Sequence, residues 1–301
     1  MARLAYLGTP DAAVPPLEAL VHAGHDVALV VTRRDARRGR GGRPAPSPVK
    51  RAATELGLRV SDQLDDVLDA GAELGVVVAY GRLVPARVLN ALDLVNVHFS
   101  LLPRWRGAAP VERAILAGDD TTGVSLMRLD DGLDTGPVLA TRRVAIEPGE
   151  HASVLRARLA VVGAGMLVEL LDEGVDKVPP GRPQEGQATY AAKIDPGELC
   201  LDWTRPATEL ERVVRLDRAW TTFRGARLRV LDAGARPGDD ASALGSRPGT
   251  LDGTAVTTGS GVLELRVVQS ASGRPVDAQA WARGARLAPG ERLGGPEEGH
   301  R

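Results

Sequence analysis

The chain has 301 residues, 43% of them hydrophobic, and a formal net charge of −1, which is enough for two ordinary globular domains. Its single cysteine, Cys200, excludes an internal disulfide and a thiolate metal cluster. The sequence contains no apolar run of the ~20 residues that a membrane helix needs and no signal-peptide pattern at its start, so we expect a cytoplasmic protein.

The first half of the sequence predicts a parallel sheet. Residues 3–7 and 27–32 are short apolar runs on either side of a segment with helical spacing, which is the pattern of a β-α-β unit. Further runs predict a helix at 48–57, strands at 58–60, 74–80 and 94–98, two later strands at 123–129 and 138–146, and a closing helix within 151–174. The fully apolar run at 74–80 is typical of a central strand, and the two later strands are expected to pair with each other. The fold class is therefore α/β, with a doubly wound parallel sheet.

The second half of the sequence differs from the first in composition and in its pattern of predicted elements. Residues 179–200 are rich in Pro, Gly and polar side chains, which indicates a linker. Residues 201–301 contain one helical segment, 207–216, and short β-type runs separated by Gly-rich turns, which is typical of a small barrel or sandwich. We therefore predict a catalytic domain over 1–178, the linker, and a C-terminal β domain over 201–301.

An arginine-rich stretch follows the second predicted strand. Residues 33–43 contain six arginines and one aspartate. Loops after the strands of an open α/β sheet face the ligand crevice, so this density favours contact with an anionic partner. The alternative is a solvated loop in an arginine-rich protein, since the chain has 38 basic residues of which only three are lysines.

Asn96 and His98 are the first candidate site residues. Side chains two positions apart on a strand share a face, so both project together from the carboxyl end of a predicted parallel strand. Such strand ends form the ligand crevice. The alternative is a hydrogen-bonded pair with a structural role alone.

A third polar group strengthens the catalytic interpretation. The segment "MRLDDGLDTGPV" holds Asp134 in a tight glycine-containing turn. An Asn, a His and an Asp can stabilise an oxyanion and handle protons without a nucleophile or a metal. The sequence has no nucleophile elbow, Walker A motif, zincin helix or dinucleotide fingerprint in the expected context, so acyl or formyl transfer to an amine is favoured.

These residues carry a resemblance to a known family. The motifs, in chain order, are "GTPD" at 8–11, "PSPVK" at 46–50, "VVAYG" at 77–81, "NVHFSLLPRWRGAAP" at 96–110, "TGVSLMRLDDGLDTGP" at 122–137 and "TYAAKI" at 189–194. Together they resemble the methionyl-tRNA formyltransferases, a branch of the folate-dependent formyltransferase family, over nearly the whole chain. The N-x-H, S-L-L-P and L-D-T-G motifs are shared by the wider family, and W-R-G-A-A-P and P-S-P-V-K point to the tRNA-dependent branch.

The resemblance implies a Rossmann-like N-terminal domain that binds 10-formyltetrahydrofolate and an OB-like β-barrel that helps to hold the acceptor arm of initiator Met-tRNA. By position it implies a catalytic set of Asn96, His98 and Asp134, a folate-contacting segment of Ser100, Leu101, Leu102 and Pro103, and tRNA contacts from Arg37, Arg38, Arg40 and Arg43. It also implies a monomer without a metal ion. Phe99 departs from the family, which usually has a small residue or proline there, and residues 218–223 replace a more proline-rich segment.

Two other functions share part of this pattern. A formyltransferase for a small amine, such as a nucleotide amino sugar or glycinamide ribonucleotide, would use the same Asn, His and Asp. A non-catalytic RNA-binding protein would account for the arginine stretch and the β domain but not for the three polar residues.

Overall fold

The computed structural model describes residues 1–37, 44–236, 238 and 247–295. Its strands are β1 (Arg3–Gly8), β2 (Asp26–Val31), β3 (Ala36–Arg37), β4 (Pro44–Ala45), β5 (Val60–Ser61), β6 (Leu74–Val78), β7 (Leu94–His98), β8 (Thr121–Arg128), β9 (Val138–Ala145), β10 (Trp220–Phe223), β11 (Ala226–Arg236), β12 (Leu251–Asp252), β13 (Ala255–Thr257), β14 (Val262–Ser270) and β15 (Val276–Asp277). Its α-helices are α1 (Val14–His22), α2 (Pro48–Glu55), α3 (Ala86–Leu89), α4 (Pro110–Ala117), α5 (Ala152–Leu171), α6 (Ala207–Val214) and α7 (Ala278–Ala285). Short 3-10 helices span Asp11–Ala13, Leu64–Val67, Val175–Lys177 and Pro196–Leu199.

The described residues divide into two compact units. The first comprises Met1–Val111, Asp120–Ala145 and Leu155–Ala192. The second comprises Glu112–Asp119, Ile146–Val154 and the chain from Lys193 onward. The segment 179–192, predicted as part of a linker, thus belongs to the first unit by its contacts.

The first unit is built on a seven-stranded sheet of order β5-β2-β1-β6-β7-β8-β9. The first five strands in this order, β5, β2, β1, β6 and β7, are parallel, while β8 is antiparallel to both β7 and β9. This arrangement confirms the predicted α/β fold with β6 at its centre and the predicted pairing of β8 with β9. The strand order reverses beside β1, so the carboxyl ends of β1, β6 and β7 border the crevice where such sheets bind ligands.

Burial explains why β6 and β7 form the centre of the sheet. Every residue of both strands is buried, as their nearly continuous apolar runs predict. A Cβ on Gly75 in β6 would lie 2.1 Å from Leu94 Cδ2, so the glycine leaves room for that side chain of β7. Asn96 and His98 at the carboxyl end of β7 therefore lie in a fully buried part of the sheet.

Helix α5 packs against one face of the sheet at β7 and β8, and a glycine of the helix lies at this contact. A Cβ on Gly163 would lie 2.6 Å from Val97 Cγ1 and 3.5 Å from Val124 Cγ1, so only glycine lets the helix lie this close to β7 and β8. The ring of Phe99 is 7% exposed and reaches to 4.0 Å from the same Cβ position. Phe99 therefore belongs to the apolar layer between sheet and helix.

The second unit contains an antiparallel sheet of order β10-β11-β14-β13-β12, with β15 also paired to β14. The chain just after α7 closes this sheet, because Leu251 donates its N–H to the Glu291 carbonyl and Phe223 bridges Leu293 on the other side. Both edges are thereby paired, which confirms the predicted small barrel. Trp203 is 4% exposed in its core and donates its indole N–H to Thr221 Oγ1 at 3.0 Å.

In the described ranges, no helix is both long and apolar enough to cross a membrane.

Candidate active site

Asn96 and His98 lie at the carboxyl end of β7, on the face opposite to that of Val97. Asn96 pairs with Val77 on one side and Met127 on the other, and His98 pairs with Ser125. Both side chains are largely buried, with exposures of 9% for Asn96 and 5% for His98. The alternation of the strand thus brings the predicted pair to one place.

His98 lies between two hydrogen-bond acceptors. Its Nε2 is 2.8 Å from the Trp105 carbonyl oxygen, and its Nδ1 is 3.7 Å from Asp134 Oδ2. A carbonyl only accepts, so Nε2 carries a proton and Nδ1 is the nitrogen that faces the carboxylate. The imidazole is therefore oriented by groups on two different loops.

Asp134 is held in place by the loop that follows β7. Its Oδ2 accepts the Gly107 N–H at 2.8 Å, and its own backbone has a φ of +52° in the left-handed region. Gly107 has a φ of +117°, and a Cβ there would lie 2.9 Å from the Ala191 carbonyl oxygen, so this position requires glycine. Asp130 is exposed, and its carboxylate accepts the Gly132 N–H within the turn. Of the three aspartates in this described segment, Asp130, Asp131 and Asp134, only Asp134 lies within 4 Å of a His98 ring nitrogen.

The carboxamide of Asn96 is not used by the fold. No other residue in the described part of the chain forms a hydrogen bond with it, and the residue is about nine-tenths buried. Every completely buried side-chain polar atom of the described residues has a hydrogen-bond partner, so the amide of Asn96 keeps some access to solvent, where a ligand can reach it. An unused amide beside a His–Asp pair is the arrangement expected of a donor kept for a ligand oxygen.

The segment Ser100–Pro103 forms a tight turn next to His98, and its serine is part of that turn. Ser100 is fully buried, and its hydroxyl donates to the Arg104 carbonyl at 2.6 Å. Ser125 Oγ donates to the Ser100 carbonyl at 2.7 Å and accepts the Leu102 N–H at 3.1 Å. The Leu102–Pro103 bond is cis. Leu101, Leu102 and Pro103 are half-buried, so they have surface that a ligand can contact.

A tyrosine lies just beyond the end of β6, at the same edge of the sheet. Tyr80 is 4% exposed, and burial raises the pKa of its phenol, while the charge of Arg82 and a hydrogen bond from it partly lower that pKa. The Tyr80 carbonyl accepts the Thr9 hydroxyl at 3.3 Å, which links the ends of β1 and β6. Tyr80 is thus a neutral phenol at neutral pH.

Gln184 and Arg106 border the candidate site, and the sequence prediction did not include them. The Gln184 amide donates to the carbonyls of Asp134 and Gly136 at 2.8 and 2.9 Å. Its oxygen accepts from Arg106 Nε and Nη2 at 3.0 and 2.7 Å. Gln184 lies in the segment that composition identified as a linker, so nothing in its local sequence indicated this role.

The predicted tRNA loop is described only at its ends. Arg37 lies in β3, which forms a two-stranded ribbon with β4, and its side chain is exposed. Arg38, Arg40 and Arg43 lie outside the described residues.

The barrel contains a separate pocket of about 500 Å³, whose lining includes Trp203, Trp220 and Arg292. None of the three predicted catalytic residues lines it. The Arg227 guanidinium lies 3.8 Å from the centre of the Trp220 ring, a cation–π contact. Among the described residues, no group of three or more His, Cys, Asp and Glu side chains could hold a metal ion.

Comparison with known proteins identifies relatives of both units. Residues 2–171 match the formyl transferase family, and residues 193–286 match the formyl transferase C-terminal domain. The chain is similar to the methionyl-tRNA formyltransferase of Halorhodospira halophila, with 45% identity over 96% of this chain and 98% of that protein. It is similar to that of Heliobacterium modesticaldum, with 42% identity over 97% of this chain and all of the relative.

Solved structures share the fold. A methionyl-tRNA formyltransferase from Clostridium thermocellum superposes with a TM-score of 0.57 and 16% identity over 78% of this chain and 94% of that chain. An N-formyltransferase from Helicobacter canadensis, solved with folinic acid and dTDP-3-aminofucose, superposes with a TM-score of 0.68 and 15% identity over 88% of this chain and 99% of that chain.

Proposed function

The chain belongs to the formyl transferase family, and on that premise we propose that it transfers the formyl group of 10-formyltetrahydrofolate to the α-amino group of methionine on initiator tRNA. Relatives that are 42% and 45% identical over nearly their whole length are methionyl-tRNA formyltransferases. The observation that carries the chemistry is the Asn96 carboxamide, which has no hydrogen bond to the described residues, beside the His98–Asp134 pair. We also propose a monomer in the cytoplasm.

The reaction begins when the amine attacks the formyl carbon. A C–N bond forms, and the carbonyl π electrons move onto oxygen to give a tetrahedral oxyanion. The bond from this carbon to N10 of tetrahydrofolate then breaks, N10 gains a proton, and the amine nitrogen loses one. The chemical need is therefore for a donor to the oxyanion and for groups that manage these protons.

Asn96 supplies the donor in this proposal. Its amide has no competing partner in the described chain, so no hydrogen bond to another residue has to break before it donates to the oxyanion. A donor placed where negative charge develops lowers the energy of the transition state. Loss of one such donor typically reduces the rate ~10²-fold or more.

His98 supplies charge, and Asp134 keeps it oriented. A protonated imidazole would donate to the Trp105 carbonyl, and its positive charge, with the Asp134 carboxylate 3.7 Å from Nδ1, would add to the stabilisation of the oxyanion. In this proposal Asp134 also takes part in removing the proton of the amine, through a water molecule. Both roles follow from the position of each group around one imidazole.

The folate would contact the turn at Ser100, Leu101, Leu102 and Pro103. Because the Ser100 hydroxyl is used within the turn, contacts would come from the backbone and from the three half-buried side chains that follow. The tRNA would contact the arginine loop that contains Arg37, Arg38, Arg40 and Arg43, whose positive charge suits the phosphate backbone. The C-terminal barrel would hold the acceptor arm.

Two variants test this function. His98→Ala and Asp134→Ala should each lose most of the turnover with Met-tRNA, by ~10²-fold or more, while tRNA binding stays nearly unchanged. His151→Ala is the matched control, because His151 forms a similar pair with Asp217 at 2.9 Å in the second unit and has no part in the mechanism. Turnover within about tenfold of the native value in both site variants would remove the catalytic assignment.

The acceptor is tested with the same protein. Met-tRNA, glycinamide ribonucleotide and a nucleotide amino sugar are offered in parallel with 10-formyltetrahydrofolate, and the formyl group is followed. The proposal expects Met-tRNA to be formylated. Formylation of a small amine alone, or of none of the three, would contradict it.

A further inference from the structure

The carboxamide of Gln184 forms every hydrogen bond that it can. Both N–H groups donate to backbone carbonyls, those of Asp134 and Gly136, and the oxygen accepts two N–H groups of Arg106. The orientation of the amide follows from its partners, since carbonyls only accept and a guanidinium only donates. Such a saturated, half-buried group fixes the geometry of the segments it joins.

These segments are the two that orient His98. One contains Asp134, whose carboxylate faces Nδ1, and whose backbone carbonyl is bound by Gln184. The other contains Trp105, whose carbonyl accepts from Nε2 and which is adjacent to Arg106. Gln184 therefore links both acceptors of the imidazole through one side chain.

The surrounding backbone reinforces the same link. Arg106 N–H donates to the Thr189 carbonyl, and its own carbonyl accepts the Ala191 N–H. The Thr189 hydroxyl accepts the Trp105 N–H at 2.9 Å. Residues 184–191 thus form a strap along the loop after β7, and Gln184 is the residue of this strap that reaches the Asp134 turn.

We propose that Gln184 is a positioning residue for formyl transfer, which sets the distance and orientation of His98 and Asp134 through the Asp134 turn and Arg106. This inference rests on the proposed function, because it assumes that the His98–Asp134 pair takes part in catalysis. Gln184 itself need not touch either substrate. Its loss should therefore change the rate of the bound complex more than the binding of substrates.

Gln184→Glu is the sharpest test. The new side chain has the same shape and still accepts from Arg106, but its second oxygen would face the carbonyls of Asp134 and Gly136 and repel them. Gln187→Glu is the matched control, since Gln187 lies on the same strap, is exposed, and has no hydrogen bond within the described residues. Both variants add the same charge three residues apart.

The expected result is a roughly 10- to 100-fold lower kcat for Gln184→Glu, as for a displacement of catalytic groups by up to about 1 Å. KM for both substrates should change by less than about threefold. Lower pH should partly restore the rate relative to native protein, because a protonated carboxyl donates one hydrogen bond again. Gln187→Glu should have the kcat, the KM values and the pH dependence of the native protein.

A second readout does not depend on the reaction. The ring ¹⁵N chemical shifts of His98 in the free protein should move in Gln184→Glu and stay in place in Gln187→Glu. If Gln184→Glu does not fold, Gln184→Met, which removes all four hydrogen bonds without adding charge, takes its place. Unchanged His98 shifts together with native kcat would overturn the inference. A native protein that formylates no acceptor while the His98 shifts move would overturn the proposed function, and it would support only the orientation of His98 by Gln184.

Discussion

The contact between α5 and β7 leads to a prediction whose size can be worked out from two glycines of one helix. Gly163→Ala would place a Cβ 2.6 Å from Val97 Cγ1, about 1 Å closer than carbon atoms normally approach. Gly165→Ala would place a Cβ with no atom within 4 Å. Both replacements gain the same helix propensity, about 0.8–1 kcal/mol, so their difference isolates the steric cost.

Overpacking of a buried contact typically costs about 1–3 kcal/mol. Gly163→Ala should therefore be less stable than Gly165→Ala by about 1–3 kcal/mol, which corresponds to about 2–12 °C in Tm for a domain of this size. Gly165→Ala alone should be up to about 1 kcal/mol more stable than the native protein.

The same substitution should affect catalysis. Val97 lies between Asn96 and His98 on β7, so a shift of the strand moves both side chains. Because a displacement of about 1 Å can cost 10²-fold in rate, a shift of a few tenths of an ångström should lower kcat several-fold in Gly163→Ala. Thermal unfolding and steady-state kinetics of both variants measure the two effects. Equal Tm values, or a Gly165→Ala variant that loses as much activity, would refute the packing argument.

Three further predictions concern other parts of the chain. The hydrogen bond from Arg113 holds the pKa of Glu198 below its usual value, so Glu198 stabilises the fold above its unfolded pKa of about 4.3 and loses that effect as pH falls through its lower folded pKa. Glu198→Gln should therefore lower Tm at pH 7 and make no difference to Tm in acid below both pKa values. An equal loss of Tm at both pH values would contradict this. Ser125→Ala removes the hydroxyl that joins the Ser100 carbonyl to the Leu102 amide, so KM for the folate should rise while KM for tRNA does not, and equal changes in both would argue against a folate role for this turn. Arg37→Ala should weaken tRNA binding and lower the slope of log affinity against log salt by about one unit, and an unchanged slope would place Arg37 outside the interface.

The parallel sheet and the shared face of Asn96 and His98 could be predicted because both depend on local patterns. Apolar runs of strand length identified β6 and β7, and alternation along a strand fixed which side chains point together. The approach of Asp134 to His98 was predicted from chemistry and family resemblance, but the distance depends on a left-handed turn and on Gly107. No sequence pattern specifies that geometry.

Other features depend on contacts between distant residues and were missed. Gln184 lies 50 residues from Asp134, in a stretch whose composition indicated only a linker. Closure of the barrel by Leu293 likewise depends on pairing with strands far earlier in the chain. Helices α4 and α7 had readable starts that the prediction did not use, a proline at the first position of α4 and an N-terminal cap by Asp277 in α7, whose carboxylate accepts the Ala280 N–H at 3.1 Å.

The most direct measurement is the single-turnover rate of formyl transfer from 10-formyltetrahydrofolate to Met-tRNA in native protein and in Asn96→Asp. This change keeps the shape of the side chain and removes its N–H donor. With both substrates bound at saturation, the rate should fall by ~10²-fold or more, while tRNA affinity stays as in the native protein. A rate within about threefold of native would show that the buried amide of Asn96 does not stabilise the oxyanion and would contradict the mechanism.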